Sequence, residues 1–520
     1  LIDAMKSSSF RRDLLKLMAL IPALAATRFD ARALPGSDSD APGAIVIVLD
    51  TLSALNLSLH GYPRRTSPNM ERMAARSTVY HAHYSTANFT SPGTATLLSG
   101  TYPWTHRAFH YEGLIAPDQV DSNLFRYWGD ADFRLGYAQN AWADMLLYQF
   151  AKWLDSHVDL WEFNLNKRPL YTRILSNDPI AAFKSLDSYA FELKPGLSGA
   201  SVLGLARKAA IYAGKKSADA EHASEYPLGV SQTLNDVDTY FLLEDLFDGV
   251  MSLTQTLPPA GLAYLHLFPP HYPYAPRKEF LEAFQSDGWR APDKPLAHFI
   301  ATPDPAFDAE IRKSRDRYDA YIASVDEDLG RLFDFMQREG ILERNYVVLT
   351  SDHGEIYERG LLGHTNEYLY EPLIRIPLLV SSPGQISRVD VHNPTSSVDV
   401  VPTLLSLTGR PVPAACEGIL LPGLGGEEDP QRSIFAIDAK TTHVNGPIRK
   451  ATLSCRKGQY KLIGYYPGDG RPNEFELYDL ANDPGEQTNL SNLNSALLSE
   501  LRQEMDAKLA EVNARYAPPR

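Results

Sequence analysis

The sequence predicts an α/β protein with a largely parallel sheet flanked by helices, followed by a smaller α+β unit. Three observations carry this prediction. Ala44–Leu49, Leu262–Phe268 and Tyr346–Thr350 are continuous apolar runs, the pattern of central parallel strands buried on both faces. Between the last two lies an amphipathic stretch with Tyr318, Ile322, Val325, Leu329, Phe333 and Met336 on one helical face and Gly340 at its C-terminal cap. From about Pro430 the rhythm changes to short strand runs, Ser433–Ile437 and Tyr460–Gly464, and a helix from about Ala496 to Val512.

The elements follow in chain order. Met5 opens a basic stretch with Arg11 and Arg12, then an apolar run from Leu17 to Ala26 and a small-residue site at Ala31-Arg32-Ala33. Residues 1–33 are expected to be a twin-arginine-like signal peptide, so the protein is expected to be exported, periplasmic or extracellular. After a polar linker, residues 42–412 form the expected catalytic domain. Residues from about 145 to 255 lose the strand–helix rhythm, carry helical text over Tyr240–Val250 and are expected to be an insertion that shapes the pocket. Residues 430–512 form the smaller unit.

Composition narrows the function classes. The chain has 520 residues, 44% of them apolar and 22% charged, which excludes disorder and coiled coil. Fifty Lys plus Arg against 64 Asp plus Glu leave a net charge of −14, so a broad nucleic-acid footprint is not expected. Two cysteines, Cys416 and Cys455, exclude a disulfide scaffold and a four-cysteine zinc site, and two separate thiols are expected over a bridge. No apolar run is long enough for a transmembrane helix.

Each apolar run ends in residues suited to chemistry: Asp50, then Pro269-Pro270-His271, then Ser351-Asp352-His353-Gly354-Glu355. Ligands gather at the carboxyl ends of parallel strands. Two carboxylates and an imidazole there suit one divalent ion, Zn²⁺ or Mn²⁺ ahead of Ca²⁺ or Mg²⁺. The stretch Asn88–Gly100 supplies a hydroxyl: Pro92 suits a first helical position, which would set Thr90 just outside a helix N-terminus. On local sequence alone Thr90 is an ordinary N-cap threonine.

Several segments together resemble the sulfatase family of the alkaline phosphatase superfamily. VLDTLSALNLSLHGYPRRTSPNMERMA resembles its opening strand and loop, and TSPGTATLLSGTYPWTH its nucleophile motif. LHLFPPHYPY, SDHGEIYERGLLGHTNEYLYEPLIRIPLLV, SSVDVVPTLLSLTG, GQYKLIGYY and ELYDLANDPGEQTNL continue the likeness nearly to the end. The resemblance implies an alkaline phosphatase-like core and a metal held by Asp50, Asp352, His353 and the nucleophile Thr90. It also implies catalytic roles for His271 and His364. Thr94, His106 and Asn140 are candidate substrate-binding residues, His110 is a further one, and His266 is expected in the core or behind the site.

The departures from the family pattern matter as much. Thr90 replaces the Cys or Ser that matures to formylglycine, Gly93 and Thr94 replace the motif's Ser and Arg, and Thr51 replaces a second aspartate. A hydrolase is expected that works through a covalent Thr90 ester on a small-molecule or cell-envelope substrate, with phosphodiesters or phosphonate monoesters ahead of sulfate esters. A phosphoryl transferase and an inactive anionic-glycan-binding protein are the alternatives.

Overall fold

The computed structural model describes residues 41–110, 113–166, 200–233 and 239–516. The expected signal peptide lies outside the described residues. Eight strands form the main sheet: β1 (Gly43–Leu49), β2 (Thr78–Tyr80), β3 (Arg134–Ala138), β4 (Ser156–Val158), β5 (Leu262–Leu267), β6 (Asn345–Thr350), β7 (Leu378–Ser381) and β8 (Val389–Val391). Their spatial order is β8-β2-β7-β6-β1-β5-β3-β4. β1 pairs in parallel with β5 and β6, and β3 with β4 and β5, whereas β7 runs antiparallel to both neighbours.

The period of two along β1 explains the two apolar faces. Ile45, Ile47 and Leu49 enter one core, and Ala44, Val46 and Val48 the other. The helices include α1 (Pro68–Ala74), α2 (Thr90–Ser99), α3 (Ala141–Gln149), α4 (Ala200–Glu221), α5 (Leu243–Gln255), α6 (Pro305–Arg338) and α7 (Val400–Leu407). α1, α5 and α6 cover the first face; α2, α3 and α7 cover the second. The predicted stripe of α6 is the one that is buried, and Asp304 caps the helix by accepting from Ala306 and Phe307 N–H. Gly340 has φ +65°, a left-handed position just past the helix end.

Three expectations change. Helix α2 begins at Thr90, with Phe89 as its N-cap, so Thr90 is inside the first turn and Pro92 is its third residue. A first-turn N–H has no intrahelical acceptor, so Pro92 costs the helix nothing there. Within the expected insertion of residues 145–255, two described pieces belong to the main sheet and its core. Ser156–Val158 is the edge strand of the main sheet, and α5 buries Leu243, Leu246, Phe247 and Val250 in the core. Tyr240–Phe241 belong to a two-stranded ribbon with Ser231–Gln232 rather than to the helix. Residues 167–199 lie outside the described part.

At the C-terminal end, β9 (Ile434–Asp438), β10 (Ala451–Lys457), β11 (Tyr460–Tyr466) and β12 (Glu474–Asp479) form an antiparallel sheet with helix α8 (Ser495–Asn513). Both faces are completed by the larger unit. One packs α8 together with Tyr102, Trp104 and Phe109; the other packs Tyr84, Ile356 and Leu369. Cys416 and Cys455 belong to different clusters and are free thiols.

Candidate active site

Strand register builds the site. Val48 of β1 stands opposite His266 of β5 and Thr350 of β6, and His266 also faces Ala138 of β3. The residues that follow, Asp50, Asn140, His271, Asp352 and His353, therefore collect at one edge of the sheet. Asp50, Asp352 and His353 each offer a ligand atom within 4.8 Å of the others, and all three are buried.

Each acid is held by one oxygen and bare at the other. Asp50 Oδ2 accepts from Asn140 Nδ2 at 2.5 Å, while Oδ1 has no hydrogen-bond partner. Asp352 Oδ1 accepts from His353 N–H at 3.0 Å and Thr51 N–H at 3.3 Å, while Oδ2 is bare. Burial and the nearby Asp50 charge push the Asp352 carboxyl well above its usual range. Two facing carboxylates in a dry site do not both ionise without a cation. Bare oxygens, the raised carboxyl and the oxygen–imidazole donor set together fit a divalent metal ion.

His353 donates Nδ1–H to the Gly354 carbonyl at 2.9 Å, leaving the Nε2 lone pair for the site. Burial, with His364 adding to it, holds this imidazole well below its usual pKa. Thr90 Oγ1 lies 3.4 Å from that Nε2, at the positive end of α2. Helix α2 and the Asp352 loop touch closely: a Cβ on Gly93 would stand 2.3 Å from the Asp352 carbonyl oxygen. Thr51 adopts φ +64°, an uncommon conformation for a β-branched residue, where its carbonyl accepts from Tyr318 Oη at 2.6 Å.

His271 and His364 meet at the rim, with ring centroids 5.0 Å apart, and His364 is 4.5 Å from the His353 ring. His271 donates Nδ1–H to the Tyr272 carbonyl. Burial lowers its pKa, with Asp50 opposing. Thr94 Oγ1 faces His266 Nδ1 at 3.5 Å, and Asn140 also caps α3 by accepting from Trp142 N–H. His106 is apart from this group. It is wholly buried beneath α2, accepting from Ala108 N–H at Nδ1 and facing Thr96 Oγ1 at 3.2 Å with Nε2. It packs beneath the helix, and His110 is exposed.

Sequence reasoning passed over three residues. Glu355 holds His364, and its only sequence signal was its place in the Asp-His-Gly-Glu run. Asn88 donates to the carbonyls of Asn366 and Tyr368, tying the Thr90 segment to the His364 segment. Lys440 reaches from the C-terminal sheet to Asn88 Oδ1 and the Asn366 carbonyl, at 3.1 and 2.7 Å. Neither contact has a local sequence signal.

Comparison with known proteins agrees with this architecture. The sulfatase family profile matches residues 42–410, and a profile described as N-sulphoglucosamine sulphohydrolase, C-terminal, matches residues 362–515. Arylsulfatase K of Bos taurus is 30% identical over 217 residues, 39% of this chain and 37% of that protein, so the chain spans little more than a third of that relative's length. The ulvan-active sulfatase of Formosa agariphila is 23% identical over 90% of this chain and 80% of its own. The crystal structure of a phosphonate monoester hydrolase of Agrobacterium radiobacter superposes with a TM-score of 0.61 at 20% identity, covering 92% of this chain and 96% of that one.

Proposed function

Because the chain belongs to the sulfatase family, we propose that it is a divalent-metal-dependent ester hydrolase in which Thr90 is the nucleophile. The observation that carries this reading is the meeting of the Thr90 hydroxyl, His353 Nε2 and two half-bare carboxylates at the start of α2. Asp50, Asp352 and His353 would hold the ion, with Thr90 completing the set. The bound ion supplies Lewis acidity, which lowers the hydroxyl pKa and draws charge from the ester oxygens.

The residues of the chain divide the remaining work. Thr90 Oγ, its proton lost to solvent at the lowered pKa, attacks the central phosphorus or sulfur, forming one bond as the ester bond to the leaving oxygen breaks. His364, backed by Glu355, gives that oxygen its proton. Water then attacks the same centre, the Oγ bond breaks, and imidazole takes up the water proton. Burial favours an uncharged His271, which suits it to receive that proton. A cavity of about 900 Å³ opens beside Thr365 and Asn366, with Phe299, Tyr368, Lys440 and Tyr465 in its wall. This is where we place the rest of the substrate. The export address expected over residues 1–33 is part of the same proposal, with a cell-envelope or extracellular ester as substrate.

The ester class follows from the adduct. Thr90 carries a methyl and a single oxygen on Cβ, so its adduct is released only by attack at the central atom, a route suited to phosphoryl centres. Thr94 places no guanidinium in the site, so a doubly charged monoester lacks a strong partner. We therefore assign phosphodiesters or phosphonate monoesters as the preferred substrates. Sulfate esters are the second reading, favoured by the names of the arylsulfatase and ulvan-active relatives. A panel of 4-nitrophenyl phosphate, phosphodiester, phosphonate and sulfate, assayed with Zn²⁺, Mn²⁺ and Ca²⁺, tests it. Acid quench and peptide mass spectrometry should find the adduct on Thr90. A sulfate preference that needs Thr90 would replace the ester class, and activity retained in Thr90→Ala would remove the nucleophile.

A further inference from the structure

His266 has no part in the hydrolysis proposed above, yet it touches both buried acids. Its Nε2 lies 3.4 Å from Asp50 Oδ2 and 3.8 Å from Asp352 Oδ2. His353 Nε2 stands at matching distances, 3.6 Å from Asp50 Oδ1 and 3.7 Å from Asp352 Oδ2. His266 approaches the Asp50 oxygen already held by Asn140, and His353 approaches the bare one.

Strand geometry and hydrogen bonding fix this orientation. Alternation along β5 puts His266 on the same face as Tyr264, the face covered by α2. A carboxylate only accepts hydrogen bonds, so the Nε2 that faces Asp50 carries the proton and Nδ1 accepts. Two buried hydroxyls supply that second bond, Tyr264 Oη at 3.4 Å and Thr94 Oγ1 at 3.5 Å. The relay runs from the hydroxyls through His266 to Asp50, and all four residues are 0% exposed.

We infer that His266 is a positioning residue for metal binding. With Thr94 and Tyr264 behind it and Asn140 beside it, it engages Asp50 Oδ2 and turns Oδ1 towards the ion. The inference rests on the metal site proposed above and concerns ion affinity rather than the chemical step. Partners behind a metal ligand typically set affinity by about 10–100-fold.

The test measures the dissociation constants of Mn²⁺ and Zn²⁺ by competition with a chromophoric chelator, on wild type, His266→Ala, His266→Gln and Thr94→Val. Circular dichroism of each chelated protein confirms folding. His266→Ala should bind about 10–100-fold more weakly. His266→Gln, whose amide can donate to Asp50, should recover part of that loss, and Thr94→Val should show a smaller loss of the same sign. At saturating ion, His266→Ala should regain most of the wild-type kcat. Wild-type affinity in both His266→Ala and Thr94→Val overturns the inference and leaves the hydrolase reading standing. A kcat deficit in His266→Ala that no ion concentration restores also overturns it, because His266 would then act on the substrate. Wild type that binds neither ion removes the metal site and this inference together. Should His266→Ala fail to fold, the His266→Gln and Thr94→Val constants decide.

Discussion

Glu355 grips His364 with both carboxylate oxygens, 3.0 and 3.2 Å from Nδ1, and both side chains are buried. The grip places the Nδ1 proton on the carboxylate side and leaves Nε2 for the proton transfer proposed for it. His364→Ala is expected to lower kcat by about 10²–10⁴-fold, the range of general acid–base catalysis. Glu355→Ala should give a smaller loss in kcat with little change in KM, and Glu355→Gln, which keeps an acceptor, should fall between it and wild type. Steady-state kinetics on a 4-nitrophenyl ester check the order, and a Glu355→Ala effect confined to KM would remove the positioning role.

Gly93 allows α2 to touch the Asp352 loop. A methyl there would meet the Asp352 carbonyl at 2.3 Å, and both partners are backbone or fully buried. Gly93→Ala should cost about 1–3 kcal/mol of stability, the range for overpacking, and also weaken the ion site. Urea titration and metal analysis of the purified variant would show both losses. Wild-type values in both would mean that the loop yields freely.

Removing the ion should destabilise the fold, because Asp50 and Asp352 then face each other with two bare oxygens. An ion present at one hundred times its dissociation constant adds about 2.7 kcal/mol to the folded state. Differential scanning calorimetry with and without a chelator should show a lower melting temperature in the chelated protein, restored by Mn²⁺ or Zn²⁺. Identical melts would speak against a resident ion.

Asp326 supplies a pH-dependent test away from the site. It accepts from the Asn69 and Met70 N–H groups of α1, and burial raises its carboxyl from 3.8 to about 7. The folded state then holds this proton more tightly than the unfolded chain. Its contribution is therefore fullest below about pH 4 and is lost as pH rises through about 7. Asp326→Asn, which does not titrate, should gain stability relative to wild type across that window. Melting temperatures measured from pH 4 to 8 decide it, and a difference that is flat or runs the other way rejects the shift.

Lys461 joins the C-terminal sheet to the larger unit. It is 1% exposed and pairs with Glu371 at 3.0 Å and Glu486 at 2.7 Å. Lys461→Met leaves two buried carboxylates without their cation, which costs about 3–5 kcal/mol. Chemical denaturation should show that loss, and a change below 1 kcal/mol would mean that water or another cation reaches the acids.

The sequence alone determined the strands and the residues at their ends. Ala44–Leu49, Leu262–Phe268 and Tyr346–Thr350 are legible because a strand buried on both faces must be apolar throughout, whatever packs against it. Parallel pairing then brings Asp50, His271, Asp352 and His353 to one edge. Tertiary structure decided what a one-dimensional pattern does not encode. In β5 both faces are buried, so nothing local tells whether His266 turns towards the acids or into the core; the Thr94 hydroxyl of α2 and Asp50 decide it. His106 follows the nucleophile motif but is turned beneath the helix, where Thr96 and Ala108 satisfy its ring. The strand Ser156–Val158, inside the expected insertion, was not legible because a three-residue edge strand has too few positions to show a period. Asn88, Asn366 and Lys440 meet only when three distant segments fold together, because hydrogen-bond partners are chosen by distance in space and not by spacing along the chain.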